Sequence, residues 1–159
     1  MIKIRLMTAD DFPLMLKWLA TPHVKEWWDD GDDTLEKVAR HYGSQSPTHE
    51  RFILLYSGKT QTGDVQPIGY LQYEIDETGI ASIDQFIGVE EMLSRGIGTQ
   101  AIHLLLDHIR TRHSPRIITV DPAPANKRAI RCYEKVGFQH DDTLPSPPGT
   151  DAYMMKIEL

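Results

Sequence analysis

A chain of 159 residues, 40% hydrophobic and 25% charged, has the composition of one folded globular domain spanning 1–159, not that of a disordered or fibrous protein. Its net charge of −6 argues against a nucleic-acid partner and for a cationic one. No apolar run approaches bilayer length, and the alternation of Ile2, Ile4 and Leu6 with Lys3 and Arg5 lacks a signal peptide's apolar block, so a cytoplasmic protein with no membrane partner is expected. The lone Cys132 has no internal disulfide partner, in keeping with that compartment.

Residues 2–7 alternate as a strand. Thr8 with Asp11 forms the capping-box pattern that opens a helix, Phe12, Met15, Leu16 and Leu19 share its inner face, and Pro22 ends it. A second short helix begins at Thr34, with Leu35, Val38 and Tyr42 inward. Between them stand Trp27 and Trp28, followed by Asp29, Asp30, Asp32 and Asp33. Adjacent residues cannot share one face, so one indole looks inward and the other toward solvent or a ligand. An aromatic wall beside carboxylates suits a cationic, ring-shaped ligand; a packed pair beside a solvated acidic face accounts for the same residues.

Strands follow at 51–56 and 68–75, joined hairpin-style by the polar loop 57–67. Gly58-Lys59-Thr60 is not a nucleotide loop, because position 53 is Ile where that motif needs its first Gly. A turn at 76–79 leads into a strand over 81–89. A polar connector then reaches Gly96-Ile97-Gly98-Thr99, a turn that lets backbone N–H groups approach a phosphorylated ligand, with the positive end of the next helix, 99 to about 112, aimed at the same spot. The broad apolar surface of that helix, Ala101 to Ile109, lays it against a sheet. A strand at 116–120 carries Asp121 at its carboxyl end, where open α/β sheets bind ligands. A helix over 126–136 presents Ala129, Ile130, Tyr133 and Val136 on one side, and Gly137 ends it. A strand at 138–141, a Pro-rich loop and a last alternating strand, Tyr153 to Leu159, complete the chain; that strand either pairs at an edge or ends the sheet. His103, His108 and His113, five apart, do not share a helical face, so no metal site is expected; His23 belongs to the surface or to a pocket rim.

Gly96-Ile97-Gly98-Thr99-Gln100-Ala101 also fits a dinucleotide fingerprint, with Asp121 near the ribose-binding distance. The order β-α-α-β-β-β-α-β-α-β-β disfavours it, because a dinucleotide domain places its glycines directly after the first strand. That order, with Arg95-Gly96-Ile97-Gly98-Thr99 and the stretch from Asn126 to Phe138, resembles the GCN5-related N-acetyltransferases over almost the whole chain. Leu93 departs from the Gln or Arg often found there in the family. The segments Glu26-Trp27-Trp28, Ile83-Asp84-Gln85, Thr119-Val120-Asp121-Pro122 and Ala129 to Lys135 are similar to aminoglycoside 6'-N-acetyltransferases of the Glu-Trp-Trp type.

The resemblance implies an α/β fold with one mixed, mostly antiparallel sheet and helices on both faces. It implies direct acetyl transfer from acetyl-CoA, without a metal, to a primary amine of a small cationic substrate, by a monomer or homodimer. A siderophore hydroxylysine-type amine or a protein N-terminus is the alternative acceptor, and a CoA-binding module without turnover the alternative class. A protonated amine has no lone pair, so a carboxylate must take its proton: Asp84 first, with Asp121 holding a neighbouring ammonium or replacing it. Backbone N–H groups of Phe86 and Ile87 would polarise the thioester, and Tyr133 would protonate the departing thiolate. Arg95, Gly96, Ile97, Gly98 and Thr99 would hold the pyrophosphate. Asn126 would bind the pantetheine arm or cap its helix, and Lys127, Arg128 and Arg131 touch phosphates or face water. Trp28 would contact the acceptor. The segment before Asp84 is short for the sub-family, leaving Glu74 or Asp76 to supply an acid, and Pro148 stands where another acid is expected, with Asp151 nearby.

Overall fold

The computed structural model describes residues 1–58 and 63–159; positions 59 and 60 of the rejected nucleotide loop lie outside the described residues. Among these, seven strands form one sheet in the order β1 (Ile2–Leu6), β2 (His49–Ser57), β3 (Val65–Ile75), β4 (Ala81–Ile87), β5 (Ile117–Val120), β7 (Met155–Glu158), β6 (Gln139–His140). All neighbours run antiparallel except β4 and β5. The last strand therefore lies inside the sheet, and β6 takes the edge.

Helices cover both faces, and strand alternation decides which side chains each receives. On one face, α1 (Phe12–Leu19), α2 (Pro22–Lys25) and α3 (Leu35–Tyr42) pack Met15, Trp18, Val24 and Val38 onto Ile53 and Tyr70. On the other, α4 (Ile97–Arg112) and α5 (Lys127–Val136) bring Ile102, Leu105, Ile109 and Tyr133 onto the intervening residues Phe52, Leu71 and Ile83.

The element order follows the sequence pattern, with local differences. Asp11 accepts the Thr8 N–H at 2.9 Å, as the capping box requires, but it opens a 3-10 turn that runs on into α1. Pro22 does not simply end a helix: it starts α2 at a position whose N–H has no intrahelical acceptor anyway, and so carries His23 toward β4. Leu35 is 49% exposed, because the Thr34 cap, accepting from Lys37 N–H at 3.2 Å, turns it outward. α4 starts at Ile97, two residues before Thr99, since Gly96 at φ +74° reverses the chain directly into the first turn. β3 continues through Pro67 to Val65: Leu54 faces Gly69 and Leu55 faces Pro67, leaving Ile68 as a bulge at a level where β4 has ended.

One irregularity positions the site. The parallel pairing of β4 with β5 lasts only for Ala81–Ile118 and Ser82–Thr119. Beyond Ser82, β4 keeps β3 but leaves β5, and the sheet opens.

Candidate active site

A cavity of about 330 Å³ meets this opening, walled by α2, the end of β4, the connector at Met92 and Leu93, the start of α4, and α5. Its deepest feature is backbone. Ser94 (φ +59°) and Gly96 (φ +74°) are both left-handed, which turns nearby N–H groups into a concave nest for an anion. The first helical bond of this turn runs from Gln100 N–H to the Gly96 carbonyl at 3.2 Å, so the N–H groups of Ile97, Gly98 and Thr99 precede it without helical acceptors, at the positive end of a 16-residue helix. A Cβ at Gly98 would stand 3.2 Å from Gln85 Nε2 and 3.4 Å from Cys132 Sγ. β4 and α5 close on the turn from two sides there and leave little room for a side chain.

Arg128, Arg131 and Lys135 of α5 reach the cavity wall. Arg95 is exposed and lies outside that wall, so its side chain does not join the cradle. Ile97 buries its side chain in the core, leaving only its backbone for a ligand. Asn126 caps α5, Oδ1 accepting from Ala129 N–H at 3.3 Å, and also faces the cavity with its amide NH₂ unspent.

The register of β4 decides which of its donors are free. Gly88 N–H bonds the Ile68 carbonyl at 2.7 Å. Bonded pairs recur every second residue in an antiparallel ladder, so the Phe86 N–H turns to Tyr70, whereas Ile87, like Gln85, turns away from β3 toward the gap. The expected pair of free donors thus reduces to Ile87, and Phe86 contributes its ring. His23 Nε2 donates to the Ile87 carbonyl at 2.9 Å and fixes the strand end.

Aromatic rings wall the far side. Trp28 meets Phe86 and Tyr70 edge-to-face at 5.2 and 5.9 Å, and its Nε1 donates to Tyr42 Oη at 3.0 Å. Tyr42 in turn donates to Asp30 Oδ2 at 3.3 Å. Trp28 is the inward indole; Trp27 is 39% exposed, and both reach the cavity.

Asp84 lies on the face of β4 that looks toward these rings. Burial, followed by the charge of Asp121 and a hydrogen bond shared with it, pushes its carboxyl up to about 7, against the lowering effect of a hydrogen bond from Gln72 Nε2 at 3.2 Å. Asp121, at the end of β5, and Tyr133, on α5, complete the group: burial first, then Asp84, raises the Tyr133 phenol well above its ordinary range, so it stays protonated. Three expected acids do not join. Glu74 is exposed opposite Ser82, two residue pairs beyond Asp84 on the same face, and Asp76 is spent on the 76–79 turn, accepting from Thr78 N–H at 2.8 Å and Ile80 N–H at 3.1 Å. Asp151 is exposed in the late loop and belongs to neither the cavity nor the carboxylate group.

Gln72, Tyr70, Ser94 and Lys135 have no individual signal in the sequence. Period-two alternation could have put Tyr70 and Gln72 on one face; their pairing with Asp84 depends on register. His108 and His113 do converge, contrary to the spacing argument, because His113 lies past the end of α4: His108 Nε2 is 3.1 Å from Glu50 Oε1 and His113 Nε2 is 3.1 Å from Tyr73 Oη. The fold also gathers Asp30, Asp32 and His41, with ligand atoms within 4.8 Å. His41 Nδ1 is already bonded to Asp32 at 2.6 Å.

The match to known proteins agrees with this geometry. An acetyltransferase (GNAT) domain model matches residues 7–145. The chain is 31% identical to an aminoglycoside N(6')-acetyltransferase type 1 of Klebsiella pneumoniae, over 98% of this chain and 82% of that protein. It superposes with a TM-score of 0.83 on aminoglycoside acetyltransferase AAC(6')-Ib in complex with coenzyme A and kanamycin, at 29% identity over 99% and 95% of the two chains. Spermidine N-acetyltransferase from Vibrio cholerae, 18% identical over 99% and 95% of the chains with a TM-score of 0.78, shares the fold. The chain belongs to the GNAT acetyltransferase family.

Proposed function

We propose that this chain transfers the acetyl group of acetyl-CoA to a primary amine of a polycationic small molecule, the 6'-amine of an aminoglycoside. The observation that carries the reading is the meeting of Asp84, Asp121 and Tyr133 beside the β4–β5 gap, next to the nest at Ser94–Gly96. The residues fit the co-substrate: N–H groups of 97–99 suit a pyrophosphate, the missing Cβ at Gly98 keeps that backbone accessible, and Arg128, Arg131 and Lys135 add positive charge.

Acetyl-CoA supplies the activated thioester carbonyl. Ile87 N–H faces the gap as a donor for that oxygen. Asp84 takes the proton of the attacking amine; with its carboxyl pushed up to about 7, it is ionised at slightly alkaline pH yet basic enough to accept. As the C–N bond forms and the C–S bond breaks, the Tyr133 phenol gives its proton to the sulfur. Its hydroxyl has no hydrogen-bond partner within the protein among the described residues, which keeps it available. Asp121 holds a second ammonium of the acceptor, and Trp28 packs against the ring that carries the amine.

Thiol release from acetyl-CoA, measured with kanamycin, ribostamycin, a hydroxylysine-type amine and a peptide N-terminus, tests the reading. Turnover with the aminoglycosides, lost in Asp84→Ala, is expected. Turnover confined to another amine overturns the acceptor, and acetyl-CoA binding without thiol release overturns catalysis.

A further inference from the structure

Arg51, Gln72 and Asp84 stand on one rung of the sheet: Arg51 of β2 is the register partner of Gln72 on β3, and Gln72 that of Asp84 on β4. Arg51 is 4% exposed. Its acceptors are all neutral: Nη1 donates to Gln72 Oε1 at 2.6 Å and Tyr70 Oη at 2.9 Å, Nη2 to the His41 carbonyl at 3.2 Å, and Nε to the Ser44 carbonyl at 3.4 Å. Its guanidinium also lies 5.2 Å over the Tyr42 ring. Burying a cation on neutral partners is a poor way to stabilise a fold, so its placement calls for another explanation.

That explanation lies in the amide. Arginine only donates, so the Gln72 oxygen must face it, and Tyr70 Oη donates to the same oxygen at 2.8 Å. With Oε1 held from two sides, the NH₂ of Gln72 faces away from Arg51 and donates to Asp84 Oδ2. We infer that Arg51 is a positioning residue that locks the Gln72 amide with its donor on Asp84, favouring the ionised form of the base. Without the guanidinium, the amide is free to present its oxygen to Asp84, an arrangement that favours the protonated carboxyl. The other ionisable groups around Asp84 are Asp121 from β5, Asp30 from the 26–34 loop, Tyr70 from β3 and Tyr133 from α5; each opposes ionisation or is neutral, which leaves Gln72 as the donor that favours it.

The inference rests on Asp84 being the base, and two readouts separate the claims. Selective ¹³C labelling of aspartate, with the Asp84 signal assigned by its loss in Asp84→Asn, gives the carboxyl titration midpoint without catalysis; the pH profile of kcat/KM gives the catalytic limb. Arg51→Met should raise the midpoint by about one to two pH units, the size of one hydrogen bond to a charged group, and Arg51→Lys should restore part of it. If Arg51→Met does not fold, Gln72→Met, which removes the same donor, must raise the midpoint equally. A midpoint unmoved in the variants that fold overturns the inference. A midpoint that moves while the kcat/KM limb stays fixed supports the role of Arg51 and overturns Asp84 as the base.

Discussion

Replacing Asp84 with Asn keeps its size and an acceptor for Gln72 Nε2 while removing the charge. The carboxyl is pushed from its ordinary 3.8 up to about 7, first by burial and then by the charge of Asp121. A rise of about three pH units corresponds, at about 1.36 kcal/mol per unit, to an upper limit of ~4 kcal/mol that ionising this group subtracts from folding stability. Between roughly pH 4 and 7 the folded protein holds a proton that the unfolded chain has released, so wild-type stability declines as pH rises through that window. The Asn variant lacks the decline. Its advantage should be close to nil near pH 4 and reach about 1–4 kcal/mol at pH 8, while acetylation drops by ~10²–10⁴-fold with the base gone. Urea unfolding at the two pH values, run beside kcat/KM, reads both effects. An advantage that is absent, or equal at both pH values, would refute the claim that a strained carboxylate is held at this position for its chemistry.

Three further expectations follow from the same geometry. Tyr133→Phe removes one hydroxyl that has no protein partner among the described residues, so kcat should fall by ~10²-fold or more with little change in melting temperature; unchanged kcat would exclude the phenol as proton donor. Gly98→Ala puts a Cβ 3.2 Å from Gln85 Nε2 and 3.4 Å from Cys132 Sγ; a strain of about 1 kcal/mol raises KM for acetyl-CoA about fivefold, and Gln85→Ala in the same chain should reverse it. Away from the site, Glu50 is 7% exposed and accepts from Tyr73 Oη. Burial works against its ionisation, but hydrogen bonds from Tyr73 and His108 leave its carboxyl below the ordinary value. A lowered folded value means that its contribution is full above pH ~4.5 and is lost as pH falls through the folded value, so Glu50→Gln should flatten the fall in melting temperature between roughly pH 5 and 3.

The elements were legible because each carries local chemistry. The alternation in β1 and β3, the Thr8–Asp11 and Asn126 caps and the Gly137 stop act over a few residues and need no knowledge of neighbours. What escaped depends on register. Leu35 looked inward by helical periodicity, yet its cap rotates it outward. Phe86 and Ile87 looked equivalent as backbone donors until the ladder to β3 separated them. Asp84 and Tyr133 are suggested by family resemblance, whereas Arg51 is an ordinary strand residue until β2, β3 and β4 are aligned. Glu74 and Asp151 show the converse: acids chosen by nearness in sequence stayed outside the carboxylate group.

The position of β7 bears on how the protein is made. β5 meets β4 over two residue pairs and β7 over four, Ile117–Glu158 to Val120–Met155. During synthesis, β1 to β4 with α1 to α3 can therefore assemble from neighbours already emerged, carrying Trp28, Gln72 and Asp84 with them. Asp121 waits for residues 155–158 before its strand is secured on both sides. The aromatic wall of the cavity is built early in translation, and the group of Asp84, Asp121 and Tyr133 is complete only when the last strand slides in beside β5.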